Sequence, residues 1–220
     1  MYTGPQIVTS GLVMHLDAAN TKSYPGTGST WYDRSGNVNN GTLVNGPSFS
    51  STNRGSLLFN GTNNYVDIGV RPSLLPQALT VSVWFKIGSS LAFSIIVRSR
   101  TYGWGISVAG TTLSSMLYTS LSNQINSTGS TISLNVYNHV SITYTNSTFC
   151  MYLNGVQVYT TTSPTNSIYY VNGYIAIGRD ADASASYFTG NIANVQIYNR
   201  ALSATEVLKN FNATRSRFGI

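Results

Sequence analysis

Apolar and polar side chains alternate in short bursts along most of the chain, and a period of two is the mark of half-buried β-strands. The clearest burst is residues 81–87. It sets Val81, Val83, Phe85 and Ile87 on one face and Ser82, Trp84 and Lys86 on the other, outward or toward a second sheet. Residues 11–17 predict a first strand, with Leu12, Met14 and Leu16 opposite Val13, His15 and Asp17. Residues 94–99 and 103–108 predict strands around Tyr102-Gly103-Trp104-Gly105, and residues 136–144 place Val140, Ile142 and Tyr144 on one face. Residues 149–153 and 156–160 flank Asn154-Gly155, the preferred pair for a type I′ turn, and so predict a hairpin. Residues 57–60 and 65–69 are expected to pair across residues 61–64 in the same way. Residues 18–56 lack sustained alternation. They carry Pro25-Gly26, Ser35-Gly36-Asn37 and Gly46-Pro47, which predict a turn-rich excursion with short strands at most.

Residues 174–178 lead through the acidic loop Arg179-Asp180-Ala181-Asp182 to a closing strand at 191–198. There Ile192, Asn194, Gln196 and Tyr198 oppose Ala193, Val195 and Ile197. The period then changes. Ser203 followed three residues later by Glu206 is a capping box, and Leu202 with Val207 completes a hydrophobic staple, so a short helix is expected near 203–211. About twelve short strands and one helix predict an all-β domain, a two-sheet antiparallel β-sandwich with one short C-terminal helix. The expected organisation is an N-terminal lead (1–9), the sandwich (10–211) and a C-terminal arm (212–220).

Composition narrows the functions available. Charged residues make up only 8% of 220, and Ser, Thr and Asn fill the gap with 30, 25 and 22 copies. Such a surface stays hydrated without charge and suits dense assembly, where buried charges are costly. The net charge is +6, but the basic residues are scattered, the nearest groups being Arg98 with Arg100 and Arg215 with Arg217. No run exists to neutralise several phosphates together, so nucleic acid is not an expected partner. No apolar stretch reaches the length of a membrane span. Residues 1–14 lack the basic and apolar regions of a signal peptide. The lone Cys150 excludes an intrachain disulfide, which fits synthesis in a reducing cytoplasm.

Three stretches resemble a known family. They are Leu58-Phe59-Asn60-Gly61 with Tyr65-Val66; Trp31-Tyr32-Asp33-Arg34-Ser35-Gly36-Asn37 with Asn40-Gly41-Thr42; and Phe188-x-Gly190-x-Ile192 followed by Tyr198-Asn199-Arg200-Ala201-Leu202-Ser203. In order and spacing, over roughly residues 10–211, they are similar to the laminin-G-like, concanavalin A-like jelly-roll domains. That fold hosts lectins, enzymes, adhesion modules and virion proteins, so the resemblance implies the fold more sharply than the function. Short single domains of this kind look like structural proteins of tailed phages. The resemblance therefore implies a non-enzymatic virion protein, a decoration or fibre component of a capsid or tail. It would be made in the host cytoplasm, present in many copies, and associated with a major capsid or tail protein, with glycan adhesion in addition. The alternative is a carbohydrate-binding module or lectin of a microbe.

Candidate chemistry is sparse. The acidic residues are Asp17, Asp33, Asp67, Asp180, Asp182 and Glu206. Hydrolases of this fold carry closely spaced acidic pairs on a strand, whereas Asp180 and Asp182 fall on a predicted loop, so no enzyme is expected. The same two aspartates are the candidates for a calcium ion at the sandwich rim, against the competing reading of a solvated turn beside Arg179; no cofactor is assigned. Tyr102 and Trp104, flanked by glycines, are the candidate platform for stacking on sugar, with Asp180 and Asp182 as further ligand-binding candidates; burial in the sandwich is the competing reading for the aromatics. At the C-terminus Arg215, Arg217, Phe218 and Ile220 read as an arm docking on a neighbouring subunit, the alternative being that Phe218 folds back on its own sandwich.

Overall fold

The computed structural model describes residues 6–100, 102–162 and 167–220. The strands are, in chain order, β1 (Leu12–Asp17), β2 (Thr30–Trp31), β3 (Gly41–Val44), β4 (Ser48–Ser50), β5 (Ser56–Asn60), β6 (Tyr65–Val70), β7 (Leu79–Lys86) and β8 (Leu91–Ser99). They continue as β9 (Trp104–Gly110), β10 (Thr112–Tyr118), β11 (Gln124–Thr131), β12 (Asn138–Tyr144), β13 (Thr148–Leu153), β14 (Val156–Thr162), β15 (Tyr174–Ile177) and β16 (Thr189–Tyr198), with one α-helix, α1 (Ala204–Thr214). The first sheet runs β14-β13-β12-β7-β16-β5-β4, with β1 also paired to β16; the second runs β11-β10-β9-β8-β15-β6-β3-β2. The expected sandwich is therefore present. Strands β10 and β11, whose Ser/Thr-rich sequences alternate weakly, were not anticipated.

The sheets close on a core that includes Leu57, Phe59, Val81, Val83, Phe85, Trp104, Ile106, Ile142 and Phe149. Strand β7 is central in the first sheet, which is why it is buried along nearly its whole length. The Asn154-Gly155 hairpin forms as expected, with both residues at positive φ (51° and 80°), as a type I′ turn requires.

Two expectations are corrected. Residues 57–60 and 65–69 do not pair with each other. Strand β5 joins β16 in the first sheet and β6 joins β15 and β3 in the second. The turn between them carries the chain across the sandwich. Asn60 Oδ1 accepts from the backbone N–H groups of Thr62, Asn63 and Asn64, and Gly61 sits at φ 73° against Thr189. The turn signal was sound, but a turn does not state which sheet the next strand joins. Strict alternation also fails in β16. A bulge between Ile192 and Asn194 puts Ile192, Val195 and Ile197 in the core and leaves Ala193 on the outer face.

The outer face of the first sheet is covered by α1. Ser203 accepts from the Glu206 N–H at 3.3 Å, and Glu206 Oε2 accepts from the Ser203 N–H at 2.9 Å. Beneath the helix Trp84 packs on Phe211 and Phe218, with ring centroids 5.6 and 4.2 Å away, and its Nε1–H donates to Thr214 Oγ1 at 2.9 Å. A polar layer joins the helix to both ends of the chain. Asn210 Oδ1 accepts from the Val8 N–H at 2.8 Å, Asn210 Nδ2 donates to Tyr198 Oη at 2.9 Å, and Tyr198 Oη donates to the Val8 carbonyl at 2.9 Å. Val8 is thereby buried, so the stretch expected as a free lead already belongs to the domain at that point.

The C-terminal segment is a clasp rather than an arm. The helix runs to Thr214, past the expected boundary at 211, and a 3-10 turn follows over Arg215–Phe218. Phe218 is 7% exposed and lies between Trp84 and Tyr137 of its own sandwich. Arg217 pairs with Asp17 at 2.7 Å and donates to the carbonyls of Asn53 and Gly55. These groups are already satisfied within the chain, so the expectation that Arg217 and Phe218 dock on a neighbour is overturned. Arg215 and Ile220 remain at the surface.

Candidate functional site

Alternation sets which side chains of the second sheet face away from the core. Leu113 and Leu117 of β10 point in, so Met116 and Tyr118 lie part-exposed on the other side; Trp104 and Ile106 of β9 point in, and Gly105 and Ser107 opposite them are still buried.

This alternation corrects the Tyr102–Trp104 platform. Trp104 is 0% exposed and belongs to the core between the sheets. Tyr102, at φ 73°, is half-buried, with its ring edge-on to Tyr118 (5.1 Å) and Tyr169 (5.4 Å). Glycines on either side of an aromatic signal close packing here, not projection. Thr101, between Tyr102 and Arg100, lies outside the described residues.

Of the other pair of candidates, Asp182 lines a cleft of about 300 Å³ together with Arg100, Tyr174, Arg179, Ala181, Ala183 and Ser184, while Asp180 stays outside the lining on Arg98. The loop after β15 builds one wall and is held by its own bonds. The Asp182 N–H donates to Asp180 Oδ1 at 2.9 Å, the Asp180 N–H to the Ala185 carbonyl at 3.1 Å, and the Ala185 N–H to the Ala183 carbonyl at 2.8 Å. The end of β8 builds the opposite wall, where the Arg100 N–H donates to the Tyr174 carbonyl at 2.6 Å. Arg98 lies behind and ties the loop down, with Nη1 3.0 Å from Asp180 Oδ2 and Nη2 3.2 Å from Asp182 Oδ2; Arg100 Nε is 3.5 Å from Asp182 Oδ1.

Arg179 is held differently. Its guanidinium lies 3.9 Å from the centroid of the Tyr65 ring and donates to Tyr174 Oη at 3.1 Å and Ser184 Oγ at 3.3 Å. Burial pushes the Tyr174 phenol above its ordinary range, so it stays a neutral acceptor for Arg179. Among the described residues, no carboxylate comes within ion-pair distance of Arg179, and no group of three or more His, Cys, Asp or Glu side chains is gathered. The aspartates named as calcium candidates face arginines, which compete with a cation for the same oxygens.

Sequence reading pointed to the acidic loop but not to its partners. One signal was present: Arg98 and Arg100 stand two apart at the end of a predicted strand. Arg179, Tyr174 and Tyr65 come from three places in the chain, and only the pairing of β15 with β6 and β8 unites them.

The remaining polar groups of note are structural. Asp33 Oδ1 accepts from the N–H groups of His15 and Ser35, and Oδ2 from the Asn39 N–H and the Ser35 hydroxyl, closing the long loop onto β1. His15 is half-buried, desolvation lowers its pKa, and its Nε2 is 3.1 Å from Asn194 Nδ2.

Residues 60–208 match the laminin-G family model described as the concanavalin A-like lectin/glucanases superfamily. No curated protein sequence matches the chain. Among solved structures, the binding domain of Paraclostridial Mosquitocidal Protein 1 superposes with a TM-score of 0.75 at 19% identity, over 91% of this chain and 52% of that one. Trypanosoma rangeli sialidase in complex with sialic acid gives 0.70 at 19% identity, over 94% and 33%. The binding domain of botulinum neurotoxin DC in complex with SialylT gives 0.69 at 15% identity, over 94% and 52%. The chain thus spans about half of the two binding domains and a third of the sialidase, and at these identities the likeness is one of fold.

Proposed function

Because this chain belongs to the concanavalin A-like lectin/glucanases superfamily, we propose that it is a non-catalytic saccharide-binding module, with the cleft between the end of β8 and the loop 179–184 as its site. The observation that carries this reading is the lining itself. Charge-bearing forks, a phenol, a serine hydroxyl and a carboxylate line a small cleft together with Ala181 and Ala183. Sugars present hydroxyls at their edges and C–H groups on their faces, and a pocket of few convergent polar groups on a rigid frame suits them. The superposing structures support the reading, since two of the three are binding domains and two are complexes with sialic acid or SialylT. Glycoside hydrolysis needs a pair of carboxyl groups flanking the scissile bond. Here Asp180 and Asp182 are both engaged with Arg98, which favours binding over turnover.

The wider setting proposed is a multicopy virion component of a phage, in contact with capsid or tail protein. A surface built from hydroxyls and amides at 8% charge supports dense packing of copies. Sedimentation of the protein with purified particles checks that setting separately. The binding proposal is tested on a glycan array with the wild-type chain and with Ala183→Trp, which fills the cleft from an exposed loop position. Binding to at least one saccharide, lost in Ala183→Trp without a change in melting temperature, is expected. Binding retained in that variant would move the site elsewhere.

A further inference from the structure

We infer that the cleft selects saccharides that carry a carboxylate, as terminal sialic or uronic acid residues do; the inference rests on the saccharide-binding reading above. The chain has six acidic residues. Asp17, Asp180, Asp182 and Glu206 are in ion pairs, Asp33 is turned onto loop backbone, and Asp67 is taken up by the Tyr174 hydroxyl. None of them neutralises Arg179 at ion-pair distance. A guanidinium is always charged, so the cleft wall holds a cation that no carboxylate contacts directly.

That cation is also fixed in place. The Tyr65 ring supports one face, and Tyr174 and Ser184, both neutral, accept from its nitrogens. An arginine positioned before the ligand arrives loses little side-chain freedom on binding. In a half-buried cleft its attraction for an anion is stronger than in bulk water. A planar fork matches a carboxylate better than it matches a hydroxyl. Arg100, on the facing wall and more exposed, adds a second positive charge, part of which Asp182 offsets.

The rest of the lining suits the remainder of such a sugar. Asp182 and Ser184 can receive or share hydroxyl protons, and the alanine methyls meet the ring face. A volume near 300 Å³ holds one sugar ring, so the acidic residue is expected at a chain end rather than within a polymer.

The test uses the full chain on surfaces bearing 3′-sialyllactose, a galacturonate trisaccharide, lactose, and the carboxyl methyl esters of the two acids. At least one acid is expected to bind about tenfold or more tightly than its ester or lactose, because a charged hydrogen-bonded contact is lost. Arg179→Gln should lose about tenfold, Arg100→Gln a few-fold, and the exposed, distant Arg54→Gln nothing. Raising salt from 50 to 300 mM should weaken the acid and leave lactose unchanged. Arg179→Lys separates fork from charge and guards against a misfolded loop: with an unchanged melt, intermediate affinity is expected. Equal binding of acid and ester, or an Arg179→Gln variant that binds the acid as wild type does, overturns carboxylate selection and leaves saccharide binding standing. Absence of binding to every saccharide, on these surfaces and on the array, overturns both.

Discussion

Phe218 decides between a clasp and an arm, and its truncation can be worked through. The side chain is 7% exposed, its ring centroid 4.2 Å from that of Trp84 and 4.4 Å from that of Tyr137. Phe218→Ala removes the buried ring and leaves a gap that α1 and Trp84 close only in part. Such truncations cost about 3–5 kcal/mol, of which stacking beyond area burial accounts for roughly 0.5–1.5 kcal/mol. The site is at a chain end that can relax, so the lower half of that range, about 3–4 kcal/mol, is expected. For a domain of this size each kcal/mol shifts the midpoint by about 2–4 °C, which gives a fall of roughly 6–16 °C. The assay is thermal and urea unfolding followed by tryptophan fluorescence, because Trp84 reports the contact directly. Ile220→Ala, at 39% exposed, should change stability by less than about 0.5 kcal/mol. A Phe218→Ala protein that melts like the wild type but loses self-association in light scattering would refute the clasp and restore the arm.

Other outcomes follow from the same geometry. His139 is buried against Trp84 and Phe211, and desolvation lowers its pKa from 6.5 to about 3. The folded state keeps it neutral while the unfolded chain takes a proton below pH 6.5, so stability is full above that pH and declines toward pH 3. The loss should reach about 2 kcal/mol by pH 5, with His15 acting in the same direction, and His139→Leu should flatten the curve in melts at pH 7 and pH 5. Glu206 has its pKa lowered to about 2, first by the Arg200 fork and then by the Ser203 N–H. Its contribution is present above about pH 4.5 and lost toward pH 2. Glu206→Gln should cost about 1–2 kcal/mol at pH 7 after allowance for solvent screening, and a cost that persists at pH 2 would count against the assignment. Trp104→Ala should lose roughly 3–5 kcal/mol of stability as a core residue. If instead it melts normally and loses only ligand, its placement inside the sandwich is wrong.

Local order was legible in the sequence wherever neighbours along the chain decide the outcome. Ser203 with Glu206 announced the helix start, Asn154-Gly155 the hairpin, and residues 81–87 a strand, though not that its second face is buried too; propensity, capping and turn chemistry all act within a few residues. Family motifs extended that reading to the sandwich as a whole. What required tertiary structure was every decision made between distant segments. Nothing within residues 57–69 states that β5 and β6 part into different sheets, because their pairing partners all lie outside that stretch, β15 and β16 more than a hundred residues away. Trp104 and Trp84 look alike in an alternating strand, yet one fills the core and the other floors a helix. The bulge that shifts Ile192 leaves no local signal either. The cleft is the strongest case: Arg98, Arg100, Tyr65, Tyr174 and Arg179 become neighbours only when β15 is inserted between β6 and β8. Alternation determines which way a side chain points, but only the order of strands in a sheet determines what it points beside.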